Sequence, residues 1–192
     1  MTHRPFWLAL AAMLVAAPAL ADGRFPNDLT EFDQQRLERF DSARREAIAA
    51  ARAGGTPADV AELAEVLKGQ AVEMAPARMA GEWRCRALKL GGRPPLVIYR
   101  DFKCRITDDE EGLRLEKLTG SQRTSGIFYD IGGARLGYAG AEAWGEEKPL
   151  RYNMDLSRDQ VGYLIPLAED RMRLELPLPL YESRFDILEL RR

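Results

Sequence analysis

The chain has a single histidine, His3, and it stands in a leader. Thr2-His3-Arg4 is a short positive segment, Phe6 to Ala17 is apolar, and Ala19-Leu20-Ala21 is a small-x-small cleavage site. Residues 1–21 therefore read as a secretory signal peptide, cut before Asp22. The chain from Asp22 onward contains no imidazole. That excludes a Ser-His-Asp triad, a Cys-His pair, an imidazole base and a His-ligated zinc. Beyond Ala21 no apolar run approaches the roughly 20 residues of a membrane span. No cysteine stands just after the cleavage site to carry a lipid. Charge of one sign is missing too: 28 Lys and Arg stand against 30 Asp and Glu, interspersed. Such a chain has no field to attract nucleic acid or an anionic membrane. The expectation is an exported, soluble, periplasmic protein with no nucleic-acid partner and no membrane span.

Cysteine is scarce, but it is even in number: Cys85 and Cys104. In an oxidising compartment two cysteines suggest a disulfide, with two buried thiols as the alternative. Trp83, Cys85 and Ala87 alternate with Glu82, Arg84 and Arg86. Phe102, Cys104 and Ile106 alternate with Asp101, Lys103 and Arg105. Between the runs lies the breaker Gly91-Gly92-Arg93-Pro94-Pro95. An antiparallel hairpin sets Cys85 opposite Cys104 on one face, which favours the bond.

The chain divides into three segments: the signal peptide 1–21, a polar leader with a helical hairpin over 22–80, and a β domain over 81–192. Thr30 and Asp33 resemble a capping box. Leu29, Phe32, Leu37, Phe40, Ala47, Ile48 and Ala51 recur at helical spacing up to Ala53. Gly54-Gly55 stops that helix. Thr56-Pro57-Ala58-Asp59 starts another, with Val60, Leu63, Ala64 and Leu67 as its apolar stripe. From Gly81 the period changes to two. The predicted strands are Glu82–Leu88, Val97–Thr107, Leu113–Leu118, Thr124–Asp130, Arg135–Gly140, Gln160–Leu167, Arg171–Leu178 and Arg184–Leu190. Their short connections make sequence neighbours spatial neighbours. The expected fold is mainly β: an eight-stranded antiparallel up-and-down barrel preceded by the helical hairpin, with a sandwich as the alternative. The longest connection, Ala141 to Asp159, is expected to act as a lid or plug.

Lys117 to Ser125 concentrates polar groups around Gly120. It reads either as an anion site, with Arg123 supplying a fork, or as a polar turn whose hydroxyls cap their own backbone. The turn is the reading preferred. Asp159, Glu182 and Arg184 lie near strand starts, yet 30 acidic residues make some carboxylate pair inevitable, so no catalytic pair is assigned. Asp108-Asp109-Glu110-Glu111 lacks the oxygen spacing and central glycine of a calcium loop. No metal ligand and no cofactor is expected.

Gly81-Glu82-Trp83 at the first strand, with Arg191-Arg192 after the last, resembles the lipocalin superfamily. The resemblance implies an indole across the barrel base with an arginine stacked on it, assigned to Trp83 and Arg191. The Thr-Asp-Tyr motif of the true lipocalins is missing, so it is the architecture that is implied. The mature chain also resembles an uncharacterised family of exported bacterial proteins, domain of unknown function 4893. The resemblance is carried by Gly81–Arg86, Leu113–Gly126, Asp159–Tyr163, Glu182–Arg184 and Leu188–Leu190. It implies no established activity.

From these readings the chain is expected to be a non-enzymatic binding protein taking a small, partly apolar ligand in a barrel mouth. The alternative is an envelope protein–protein module, an inhibitor of a cell-wall enzyme or an assembly factor, on a packed barrel. An enzyme working through carboxylates or tyrosine is the third reading. The candidate ligand-binding residues are Lys117, Gln122, Arg123, Tyr163 and Arg184. Val161, Tyr163 and Ile165 of strand six, with Met172, Leu174 and Leu176 of strand seven, are expected to line the site. An open interior of about 300 Å³ or more would favour a ligand, and a packed one a partner.

Overall fold

The computed structural model describes residues 25–192, so the signal-peptide reading and His3 lie outside the described residues. The period-two region forms eight strands. They are β1 (Gly81–Leu90), β2 (Leu96–Asp109), β3 (Gly112–Lys117), β4 (Gln122–Asp130), β5 (Leu136–Trp144), β6 (Asp159–Ala168), β7 (Arg171–Pro177) and β8 (Phe185–Arg191). Each pairs antiparallel with its sequence neighbour, and β8 closes on β1. The result is a barrel rather than a sandwich. Closure pairs the backbone polar groups that an open sheet would leave at its edges.

The interior is filled by side chains. Trp83, Ile106, Leu115, Phe128, Tyr138, Leu164, Met172, Leu174, Leu188 and Leu190 pack around the Cys85–Cys104 disulfide. The cysteines are not directly opposed. Trp83 faces Cys104 and Cys85 faces Phe102, so the bond runs diagonally across the hairpin with a Cα–Cα distance of 6.0 Å. Diagonal partners share a face and remain within reach. Gly126 pairs with Gly140 where β4 meets β5. A Cβ at Gly140 would lie 2.4 Å from the Tyr138 hydroxyl, and one at Gly126 would lie 2.7 Å from its ring. The two bare backbones make room for a buried phenol.

Among the described residues, four helices precede the barrel: α1 (Glu31–Glu38), α2 (Phe40–Gly54), α3 (Pro57–Leu67) and the single turn α4 (Pro76–Met79). Thr30 caps α1 by accepting from the Asp33 amide, and Thr56 caps α3 by accepting from that of Asp59. One continuous helix up to Ala53 is expected from the periodicity; the chain instead breaks at Arg39, where α1 ends and α2 begins. The helices lie on the barrel wall. Phe40, Ala47, Ala51, Leu63 and Val66 cover Leu88, Leu90, Phe185 and Ile187. Leu29 and Leu37, with Phe25, cover Ala139 and Val161. Each large side chain buried this way contributes about 1.5–3 kcal/mol.

Between wall and helices lies a buried ionic layer. Arg44 of α2 and Arg173 of β7 both donate to Glu175, at 2.7 and 2.9 Å, and Glu175 is fully buried. Arg171 and Arg173 also donate to the Val66 carbonyl at the end of α3. They satisfy carbonyls that the helix itself leaves open.

The connection 145–158 is neither lid nor plug over its first half. Leu150 accepts from Ser125 and Tyr152 donates to Asp33, which straps the segment to the outside of β4 and to α1. Its polar backbone finds partners there that the packed interior does not offer.

Candidate functional site

The two ends of the barrel differ in chemistry. At the end where β1 begins, Met79 plugs the opening and accepts from the Trp83 indole N–H at 2.8 Å. Arg192 lies over that indole, its guanidinium carbon 3.9 Å from the ring, and donates to the Met79 carbonyl at 3.0 Å. The stacked residue is therefore Arg192 and not Arg191. A strand alternates faces, so neighbouring residues cannot both turn toward the base. Arg191 lies outside and binds Glu189 at 3.0 Å.

The other end is polar. Lys89, Lys117, Gln122, Thr124, Glu142, Gln160 and Asp186 converge from six strands on a small hollow of about 50 Å³. Toward solvent it meets a pocket of about 190 Å³ lined by Ala87, Lys89, Tyr99, Phe102, Lys117, Ser121, Gln122 and Glu182. Lys117 is 8% exposed. Its ammonium sits 3.7 Å from the centre of the Phe102 ring and donates to the Gln122 carbonyl. Burial pushes it down to about 8; Lys89 and Arg123 press the same way, and Glu142 opposes them. Lys89 donates to Glu182 at 2.6 Å and lies 4.0 Å from Asp186. Burial alone would lower Lys89, but Asp186 and Glu182 overcome it and leave it raised. Burial lifts Asp186 to about 6 against the opposing pull of Lys89. Below these groups Thr124 bridges Tyr138 and Gln160. Glu182 holds Lys89 from one oxygen and accepts from Gln122 at 3.2 Å on the other. Its φ is 67°, a backbone state costly for a glutamate and tolerated where the surroundings enforce it.

Of the five candidate ligand residues, the fold brings Lys117 and Gln122 together at this mouth. The other three lie elsewhere. Arg123 points outward and donates to the carbonyls of Gly145 and Glu147, because Gln122 and Thr124 occupy the inward phase of β4. Tyr163 is on the outer face of β6, edge-on to Phe40. Val161 is likewise under α1, while Leu164 faces the interior. Arg184 precedes β8 and is exposed against the β1–β2 turn. Met172, Leu174 and Leu176 do face inward, but Met172 and Leu174 fill the packed core and only Leu176 lines the mouth hollow.

Lys89 and Asp186 escape the sequence reading, and Phe102 enters it only as a strand residue in phase with Cys104; the signal for Lys89 is nevertheless present. The inward phase Trp83, Cys85, Ala87 continues one step to Lys89, beyond the expected end of β1 at Leu88.

The fold and site define a closed eight-stranded barrel with an aromatic-and-arginine plug at one end and a small charged mouth at the other. The chain belongs to the family described as Domain of unknown function (DUF4893), whose pattern matches residues 27–190. No curated protein and no solved structure matches it.

Proposed function

We propose that the protein is an exported, non-enzymatic binding module that takes a small, partly apolar ligand bearing one acidic group in the barrel mouth. The observation that carries this reading is Lys117: a nearly buried ammonium beside the Phe102 ring, at the floor of a pocket that opens to solvent. A cation with few competing waters favours an anionic group, and Tyr99 and Phe102 offer apolar surface to the rest of the ligand. The pocket's roughly 190 Å³ falls short of the ~300 Å³ expected to favour a ligand, and by that measure the packed interior favours a partner; the ligand reading rests instead on the charge of Lys117. The filled interior below it leaves no channel for a long acyl chain. The ligand is therefore compact, of the size of an aromatic or short-chain carboxylate.

Calorimetric titration with benzoate tests this. Wild type should bind saturably, Lys117→Met should lose most of the affinity, and Arg123→Gln should keep it. Equal binding by wild type and Lys117→Met would remove the proposal. The second reading, an envelope protein-partner module, rests on a different feature. A larger hollow, about 390 Å³, lies outside the barrel between residues 72–76 and the β4–β5 turn. A wild type that ignores benzoate but captures a partner through this groove would favour it.

A further inference from the structure

A second charged hollow, of about 230 Å³, lies on the outer wall, lined by Arg84, Cys85, Arg86, Arg100, Glu189 and Arg191. Strand register assembles it. Arg171 of β7 stands directly opposite Arg191 of β8, and Arg191 opposite Arg84 of β1, which in turn faces Lys103 of β2. Four basic residues thus stand side by side across four hydrogen-bonded strands. Like charges placed directly opposite each other weaken a sheet; Glu189 offsets Arg171 and Arg191, while Arg84, between Arg191 and Lys103, has no such offset among the described residues.

One row toward the mouth, Glu189 is fully buried and organises the cations. It accepts from Arg86, from Arg171 at 3.0 Å and from Arg191 at 3.0 Å. Glu62 of α3 holds Arg86 and Arg100 from the other side. Arg86, Arg100, Arg171 and Arg191 are therefore fixed by carboxylates behind them. Arg191 turns Nε and Nη2 to Glu189, which leaves Nη1 without a partner among the described residues. Arg84 is exposed and has no carboxylate partner among the described residues. Glu62 takes both Nη groups of Arg100 and Glu189 takes the Nε–Nη2 edge of Arg191, so the donors open to a ligand are chiefly those of Arg84 and Nη1 of Arg191.

We infer that this hollow binds a phosphate-type oxyanion, a phosphate or diphosphate group, with Arg84 and Arg191 as the direct contacts and Arg86 and Arg100 as the supporting cations. The Arg84 guanidinium can meet a tetrahedral oxyanion with two donors and Arg191 with its Nη1, and an anion between Arg84 and Arg191 relieves their mutual repulsion. The site is on the opposite side of the wall from the mouth and does not depend on it.

The test uses the mature protein, inorganic pyrophosphate as probe, and calorimetry at low salt. Saturable binding is expected, weakened at least about tenfold in Arg84→Gln/Arg191→Gln, unchanged in Lys117→Met, and reduced by added salt. Both arginines are exposed, so the variant should keep the wild-type unfolding midpoint within a few degrees, which checks the fold. A second arm uses vesicles of phosphatidylglycerol against phosphatidylcholine. Pyrophosphate binding without vesicle binding identifies a soluble phosphate ester as the source; binding of phosphatidylglycerol vesicles, lost in the variant, identifies a lipid headgroup. No saturable binding in either arm, or equal binding by the folded variant, overturns the inference.

Discussion

Arg192 covers the buried indole of Trp83 at 3.9 Å while donating to the Met79 carbonyl, which also accepts from that indole. The residue just after β8 thus closes the barrel end at which the first strand begins. Trp83 is 3% exposed. Trp83→Ala should cost about 3–5 kcal/mol as a core deletion. Arg192→Ala should cost about 1–2 kcal/mol through the stacked cation and its hydrogen bonds. Arg191→Ala should cost less than Arg192→Ala, because Arg191 is half exposed and the buried Glu189 keeps Arg86 and Arg171 as partners. Urea unfolding of the three variants checks the order, and Arg191→Ala costing more than Arg192→Ala would contradict the stacking account.

The disulfide closes a separation of 19 residues and should contribute about 3 kcal/mol by restricting the unfolded chain. The double variant Cys85→Ala/Cys104→Ala is expected to unfold at correspondingly lower urea. Peptide mapping without reductant should recover the two cysteines linked.

Lys117 titrates at about 8 in the fold, below the ~10.4 of an unfolded lysine. Between those values the unfolded chain holds the extra proton, so this group makes stability rise with pH across that window. Below pH 8 it is charged in both states and its burial is a full cost. Lys117→Met should therefore stabilise the protein at pH 7 and flatten the rise between pH 8 and 10. Benzoate affinity of wild type should fall as pH climbs through 8, since the ammonium is lost. Affinity that stays level to pH 9.5 would exclude Lys117 as the head-group contact.

Asp159 is nearly buried; one oxygen accepts from the Asn153 amide and the other has no hydrogen-bond partner among the described residues. Burial lifts it to about 6, while the Asn153 hydrogen bond opposes the rise. A raised carboxylate binds its proton more tightly in the fold, so its contribution to stability declines as pH rises from about 4 to 6. Asp159→Asn should raise the melting temperature at pH 7.5, by no more than the equivalent of about 3 kcal/mol. On acidification through that window the variant should gain less than wild type, keeping the share that Asp186, also lifted to about 6, contributes. Scanning calorimetry at pH 4.5, 6 and 7.5 reads both effects.

Glu175 compensates the buried Arg173 and the partly buried Arg44. Glu175→Ala should cost about 3–5 kcal/mol because it strands a buried cation. Glu175→Leu/Arg173→Leu, which removes both charges, should be milder. Chemical unfolding of the two variants separates loss of a partner from loss of the pair.

Period two from Gly81 onward is a local property, and it is enough to predict eight strands, their order and the pairing of the two cysteines. Capping at Thr30 and Thr56 is equally local, since each side chain reaches only three residues along its own chain. Which face of a strand is the interior is not local where both faces are buried. In β6, Leu164 fills the barrel while Val161 and Tyr163 meet the helices. Both faces are apolar, so alternation carries no sign, and the Val161–Tyr163–Ile165 face is assigned inward when the sequence is read alone. The same holds for Arg191 against Arg192 and Gln122 against Arg123, adjacent polar residues told apart only by the phase that closure imposes. The charged mouth and the outer arginine row lie further from reach of a linear reading. Lys89, Lys117 and Asp186, or Arg171, Arg191 and Arg84, come from different strands and share a site only because β8 pairs with β1.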